Sequence, residues 1–101
     1  MARNKLSPTH PGEILLEEFL EPMNISQYKL AKDIGVPQAR ISKIVKGERG
    51  ITPDTALRLG RYFEMSAEFW INAQAGFDLK IVRQAIGRKI DKEVLPLDKA
   101  A

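Results

Sequence analysis

The chain has 101 residues, 44% of them apolar and 29% charged, with a formal net charge of +3 and no cysteine. That length suits one small domain and not a second core, the composition is that of an ordinary globular protein, and no apolar run approaches the roughly 20 residues that would cross a bilayer. The missing thiols exclude a disulfide framework, a thiolate zinc site and a cysteine nucleophile, and a basic start with no apolar segment behind it makes a cytoplasmic location the expectation.

Pro11 and Gly12 open a first helix, EILLEEFL, in which Ile14, Leu15 and Phe19 share one face and Glu13, Glu17 and Glu21 lie on others; Pro22 ends it. Ser26 is a hydroxyl cap for a second helix whose buried positions are Leu30, Ala31 and Ile34, and Gly35 supplies the left-handed residue that closes it. After a short turn, Pro37 suits the start of a third helix, because its missing N–H would be unpaired there anyway, and Gly47 ends that helix. Thr52, Pro53 and Asp54 repeat the start signal with a hydroxyl cap, a first-turn proline and an acid at the positive helix end. The fourth helix then runs to about Glu64 with Ala56, Leu57, Leu59, Gly60 and Phe63 as its buried stripe. Gly60 costs about 1 kcal/mol in a helix interior unless another helix packs closely there.

Ser66 caps a fifth helix beginning AEFWINAQ. Phe69, Trp70, Ala73 and Phe77 form one stripe on it, and Ile71, Ala75, Leu79, Val82, Ile86 and Ile90 form a second that continues beyond what five short helices need. That second stripe, Ile71, Leu79, Val82 and Ile86 above all, is read as a homodimer surface over residues 66–90, followed by a flexible tail over 91–101. There is no internal repeat, no strand-like alternation and no low-complexity segment. The fold class is all-α.

The charge is concentrated. Residues 26–50 hold Lys29, Lys32, Arg40, Lys43, Lys46 and Arg49 against Asp33 and Glu48, a balance of +4 that exceeds the net charge of the chain. The first 25 residues hold Arg3 and Lys5 against Glu13, Glu17, Glu18 and Glu21, a balance of −2. A basic face confined to one segment indicates a localised anionic partner. On a helical wheel at roughly 100° per residue, Ile41, Ile44 and Val45 gather on one side, and Ala39, Ser42, Lys43 and Lys46 gather opposite, with Gln38 and Arg40 on the flanks. The apolar side must pack on the second helix, where the small Ala31 lets two backbones approach. This is the arrangement of a helix-turn-helix spanning 26–47, whose exposed side offers long donors to a major groove beside an alanine able to touch a thymine methyl. Arg40 and Lys43 are the candidate base contacts, and Lys29, Lys32, Lys46 and Arg49 the candidate phosphate contacts. Outside such a motif the same residues would read as solvated surface.

The run Gln27, Leu30-Ala31, Ile34-Gly35-Val36, Ile41, Ile44 and Gly47 resembles the helix-turn-helix of the Cro and phage-repressor (XRE) family. Over residues 10–79 the chain more specifically resembles the HigA (VapI-like) antitoxins of toxin–antitoxin modules, through "HPGEIL", "GITPDTALRL" and "EFWINAQ". The resemblance implies a five-helix phage-repressor-like domain over 11–65 with an extended C-terminal helix. It also implies a homodimer that binds a palindromic double-stranded operator in its own promoter and silences a small basic RelE-like (HigB-type) ribonuclease toxin. It maps base reading onto Gln38, Ala39 and Lys43, with Arg40 and Ser42 beside them, and a phosphate contact onto Gln27. Ala39 stands where a repressor often has glutamine, so the base preference at that step does not transfer. Toxin contacts map onto no short motif. The alternative is a stand-alone regulator of the same helix-turn-helix family without a toxin partner.

Other sites read as structural. His10 has no second histidine or cysteine with which to make a zinc site and suits a turn or cap. Glu17 and Glu18 are adjacent, about 100° apart on a helix, and cannot act as a catalytic pair. The stretch from Gly47 to Gly50 lacks the Lys-Ser/Thr ending of a phosphate loop and reads as a connector. Phe69 and Trp70 suit a core better than a stacking platform for single strands. Nothing forms a catalytic constellation, and neither a cofactor nor a metal is expected.

Overall fold

In the computed structural model, residues 8–99 are described and form five helices, with no strand among them. Residues 1–7 and 100–101, which include Arg3 and Lys5 of the charge balance and the end of the expected tail, lie outside the described residues. Helix α1 begins as Pro11–Ile14 and continues unbroken as a π-helical stretch, Leu15–Leu20; α2 is Gln27–Ile34, α3 Gln38–Val45, α4 Pro53–Phe63 and α5 Ala67–Glu93. A 3-10 turn, Leu97–Lys99, follows.

The local signals act where the sequence puts them. The Ser26, Thr52 and Ser66 hydroxyls accept from the backbone N–H groups of Lys29, Thr55 and Glu68 and so cap α2, α4 and α5. Gly35 closes α2 at φ 74°, a left-handed conformation open to a residue without Cβ, and Val36 N–H returns to the Ala31 carbonyl at 3.0 Å. Pro37 sits one residue earlier than its expected place. It precedes α3 in an extended conformation and offers its carbonyl to Arg40 N–H at 3.0 Å. Helix α3 stops at Val45, and Gly47 turns the chain away at φ 78°.

Leu20, five residues after Leu15, is buried as Leu15 is, which the i→i+5 bonding of the π-helical stretch allows. Two expectations need correction. Leu57, expected in the buried stripe of α4, is 65% exposed. The stripe is carried by Ala56, Leu59 and Gly60 with Phe63 half-buried, and Leu57 stands about 100° round from Ala56. Thr55 is buried on the other flank and accepts from the Thr52 hydroxyl at 3.3 Å. Finally, α5 runs through Asp91 to Glu93, past the expected end at 90. No breaker interrupts its ladder before Pro96, and Val94 N–H still reaches the Ile90 carbonyl at 2.8 Å.

The core draws on all five helices, with Leu30, Ala31 and Ile34 from α2 and Ile41 and Ile44 from α3, and an aromatic cluster joins α1, α4 and the start of α5 within it. Trp70 is wholly buried, and the Phe19 ring lies against the rings of Phe63 at 4.8 Å, Trp70 at 5.1 Å and Phe69 at 6.4 Å. Gly60 meets the start of α5, with Ala67 N 3.1 Å from where a Cβ would stand, which is the close approach that justifies a glycine in α4. Gln74 Oε1 accepts from Ile51 N–H at 2.7 Å, so α5 also satisfies the loop between α3 and α4. His10 caps α1 by accepting from Gly12 N–H at Nδ1, 2.9 Å, and packs edge-on against Phe77 at 4.8 Å. Burial lowers the His10 pKa, against a smaller upward pull from Asp78, and so favours the neutral ring that can accept this bond.

A close backbone contact lies between the start of α1 and the end of α3. A Cβ on Gly12 would overlap the Ile44 carbonyl, and Val45 Cα would be 3.0 Å from it. Helix propensity alone would have Gly12→Ala stabilise the protein by up to about 1 kcal/mol. Backbone overlap has the opposite sign, and overpacking of this kind costs up to about 3 kcal/mol. The net expectation is that Gly12→Ala destabilises the fold by about 2 kcal/mol in urea unfolding; a rise in midpoint would show that α1 does not bear on α3.

Candidate nucleic-acid interface

Helix α3 has eight residues, too short to persist alone in water. Ile41 and Ile44 are fully buried and Val45 packs against the core, so the helix is held by its apolar side. The opposite side is thereby forced outward. Gln38, Ala39 and Lys43 are exposed, Ser42 is half-buried, and Lys46 follows as the exposed cap residue. Ala39, Ser42, Lys43 and Lys46 follow the i, i+3, i+4, i+7 spacing of a single helical face. Among the described residues, Lys43 and Lys46 enter no ion pair. Gln27 opens α2 half-buried, and Arg49 is exposed in the loop after α3.

Two of the basic residues are engaged within the protein. Lys29 Nζ donates to Asp33 Oδ2 at 2.9 Å, and the Tyr62 hydroxyl donates to the same oxygen at 2.6 Å. The Tyr62 bond first, and then the Lys29 bond, hold the Asp33 carboxyl below its ordinary pKa; Asp33 in turn raises the pKa of Lys29. Lys29 stays charged, and must leave Asp33 to meet a phosphate. Arg40 is the second. Its side chain is 25% exposed, with Nη1 donating to Asp54 Oδ1 at 3.3 Å and Nε buried without a partner among the described residues. Arg58 Nε donates to the same Asp54 oxygen at 2.8 Å, and this bond is the main cause of the lowered Asp54 pKa, with Arg40 adding to it.

Beyond Phe77 the fifth helix leaves the body of the protein, whose longest dimension is 57 Å. Leu79, Val82, Ile86 and Ile90 are 55%, 46%, 42% and 43% exposed and form a stripe that no other helix covers among the described residues. Ile71, expected in the same surface, is half-buried against the core. It stands on the first part of α5, which packs on α4, and keeps part of its surface open.

The two short helices packed across a glycine turn, with buried apolar sides and a basic outer face, match the helix-turn-helix family model over residues 16–70. Virulence-associated protein I of Dichelobacter nodosus is 51% identical over 82 residues, 81% of this chain and 76% of that protein. Antitoxin HigA-1 of Vibrio cholerae is 37% identical over 78% of this chain and 74% of its own length. The chain belongs to the HigA family of helix-turn-helix proteins. Its fold agrees with a solved HigA: the Pseudomonas aeruginosa antitoxin HigA with the higBA promoter superposes with a TM-score of 0.86 at 46% identity, over 89% of this chain and 98% of that one.

Within this HigA-family fold, the residues singled out on α3 share one surface. Gln38, Ala39, Ser42 and Lys43 stand together, with Lys46 at the far end, while Arg40 turns aside to α4. Sequence reasoning missed Asp54, Arg58 and Tyr62. The spacing of Asp54 and Arg58, i and i+4 on one helix, was a readable pair signal. Their links to Arg40 and to α2 carry no local signal, because they join separate helices. Among the described residues no cluster of His, Asp or Glu is placed to hold a metal ion, and no helix is long and apolar enough to cross a membrane.

Proposed function

We propose that this chain is a sequence-specific DNA-binding antitoxin. It represses its own toxin–antitoxin operon and neutralises a RelE-like (HigB-type) ribonuclease toxin by direct binding. The single observation that carries the DNA half is the outer face of α3, where two lysines without ion pairs among the described residues stand on a helix anchored by two fully buried isoleucines. Gln38, Ala39, Ser42 and Lys43 meet base edges, with Arg40 on their border, and Gln27, Lys29, Lys46 and Arg49 meet phosphates. The antitoxin half is supported by the HigA relatives. The protein acts by occupancy, covering a promoter or a toxin, with no reaction of its own and no cofactor, in the cytoplasm.

The unit that binds is a homodimer. A single small module makes few contacts, and helix-turn-helix dimers gain affinity from two half-sites about one helical turn apart. Leu79, Val82 and Ile86 of each protomer cover one another, with Ile71 at the edge nearest the core. The domain over 11–65 presents α3, and α5 joins the protomers.

Three outcomes are expected. Lys43→Ala lowers affinity for the operator by about 1–3 kcal/mol and affects random DNA much less; equal losses on both, by fluorescence anisotropy, would remove Lys43 from base reading. Val82→Asp gives a monomer in light scattering with weak operator binding, and an unchanged mass would exclude that surface. Co-expression with the product of the neighbouring small gene relieves the growth arrest that product causes, and the two proteins co-purify. Arrest that the protein cannot relieve would reduce it to a stand-alone regulator.

A further inference from the structure

We infer that Asp54 and Arg58 are positioning residues for the recognition helix, strapping the end of α2 and the first turn of α3 to α4 and so setting the angle at which α3 meets DNA. The inference rests on the DNA-binding reading above. Both residues stand on α4, outside the motif of residues 26–47. Yet Arg58 Nη1 donates to the Ile34 carbonyl at 2.8 Å and reaches the Gly35 carbonyl at 3.5 Å. These carbonyls belong to the end of α2, where the helix has no partner of its own to offer. The other side of the same guanidinium, Nε, meets Asp54 Oδ1 at 2.8 Å, and that oxygen also takes Arg40 Nη1 from α3 at 3.3 Å. One carboxylate oxygen thus joins guanidinium groups from α3 and α4, and one of these closes α2. Arg40 belongs to this strap and supports the reading face from its border.

Exposure decides against a role in stability. The Asp54 and Arg58 side chains are 58% and 42% exposed, and ion pairs that open to water contribute little to folding. Geometry is where they act. A guanidinium is a planar fork with donors at set angles, so contacts on two of its sides restrict the turn more than a point charge can. Charge alone would make Asp54 a hindrance, since a carboxylate beside the recognition helix repels phosphates. Its removal should then strengthen binding to every sequence alike. Positioning gives a different sign, a loss of discrimination between sequences.

The experiment compares the unchanged protein with Asp54→Asn, Arg58→Ala, Arg58→Lys and the Asp54→Asn/Arg58→Ala double variant. Each is measured on a duplex that the unchanged protein selects from a random pool and on a scrambled duplex of equal length. Asp54→Asn and Arg58→Ala are each expected to lower the selected-to-scrambled affinity ratio about tenfold, the discrimination carried by roughly one base pair. The double variant should lose no more than either single one. Arg58→Lys, which keeps the charge and loses the fork, should leave the ratio lowered. In the free protein, Asp54→Asn should shift the amide NMR signals from Gly35 to Arg40 with little change in melting temperature. A ratio that is unchanged or raised, or amides that do not move, overturns the strap. Failure of the unchanged protein to select any duplex overturns the DNA-binding reading instead, and the amide shifts then decide on the strap alone.

Discussion

The burial of one side of α3 is the constraint from which the rest follows. Eight residues do not make a stable helix in water, so α3 exists because Ile41 and Ile44 are sealed in the core and because α1 presses backbone to backbone against its last turn at Gly12. Once that side is committed, the helical repeat leaves no choice about the other. Ala39, Ser42, Lys43 and Lys46 have to face out, and a basic surface of the width of a single helix results. The basic face and the core are two sides of the same eight residues.

Helix α5 divides its length between two tasks. Its first turns supply Trp70 to the core, Gln74 to the loop after α3 and Phe77 to the histidine that caps α1. From Asp78 onward it leaves the body and carries Leu79, Val82, Ile86 and Ile90 uncovered. The same helix therefore ties the loop after α3 to the core and carries an apolar stripe beyond it.

What was legible in the sequence was what local chemistry decides. Ser26, Thr52 and Ser66 before apolar runs, Gly35 after Ile34, and the split wheel of α3 each act within a turn or two of chain, and each reads true. The HigA resemblance was legible for another reason: its motifs are spread over residues 10–79 and do not depend on any one contact. The burial of Leu20 was not legible, because a π-helical stretch changes the period that the wheel assumes. Leu57 was misread because, at 100° from Ala56, it stands on the border of the stripe, where only the neighbouring helix decides burial. The Gly12 contact with Ile44, the Arg58 bond to the Ile34 carbonyl and the capture of Arg40 by Asp54 join residues far apart in sequence, and no pattern of spacing announces them. The same holds for Ile71, whose stripe is apolar along its whole length while α4 covers only the first part.

An isotope-labelled sample of the protein, titrated with an operator duplex from its own promoter and followed residue by residue in amide NMR spectra, would locate the working surface without altering any side chain. The expected result is a set of shifts concentrated at Gln38 to Lys43 and at Gln27, with the far half of α5 undisturbed. Shifts centred on the α5 stripe, or none that distinguish α3 from the remaining helices, would contradict the assignment of this face to DNA.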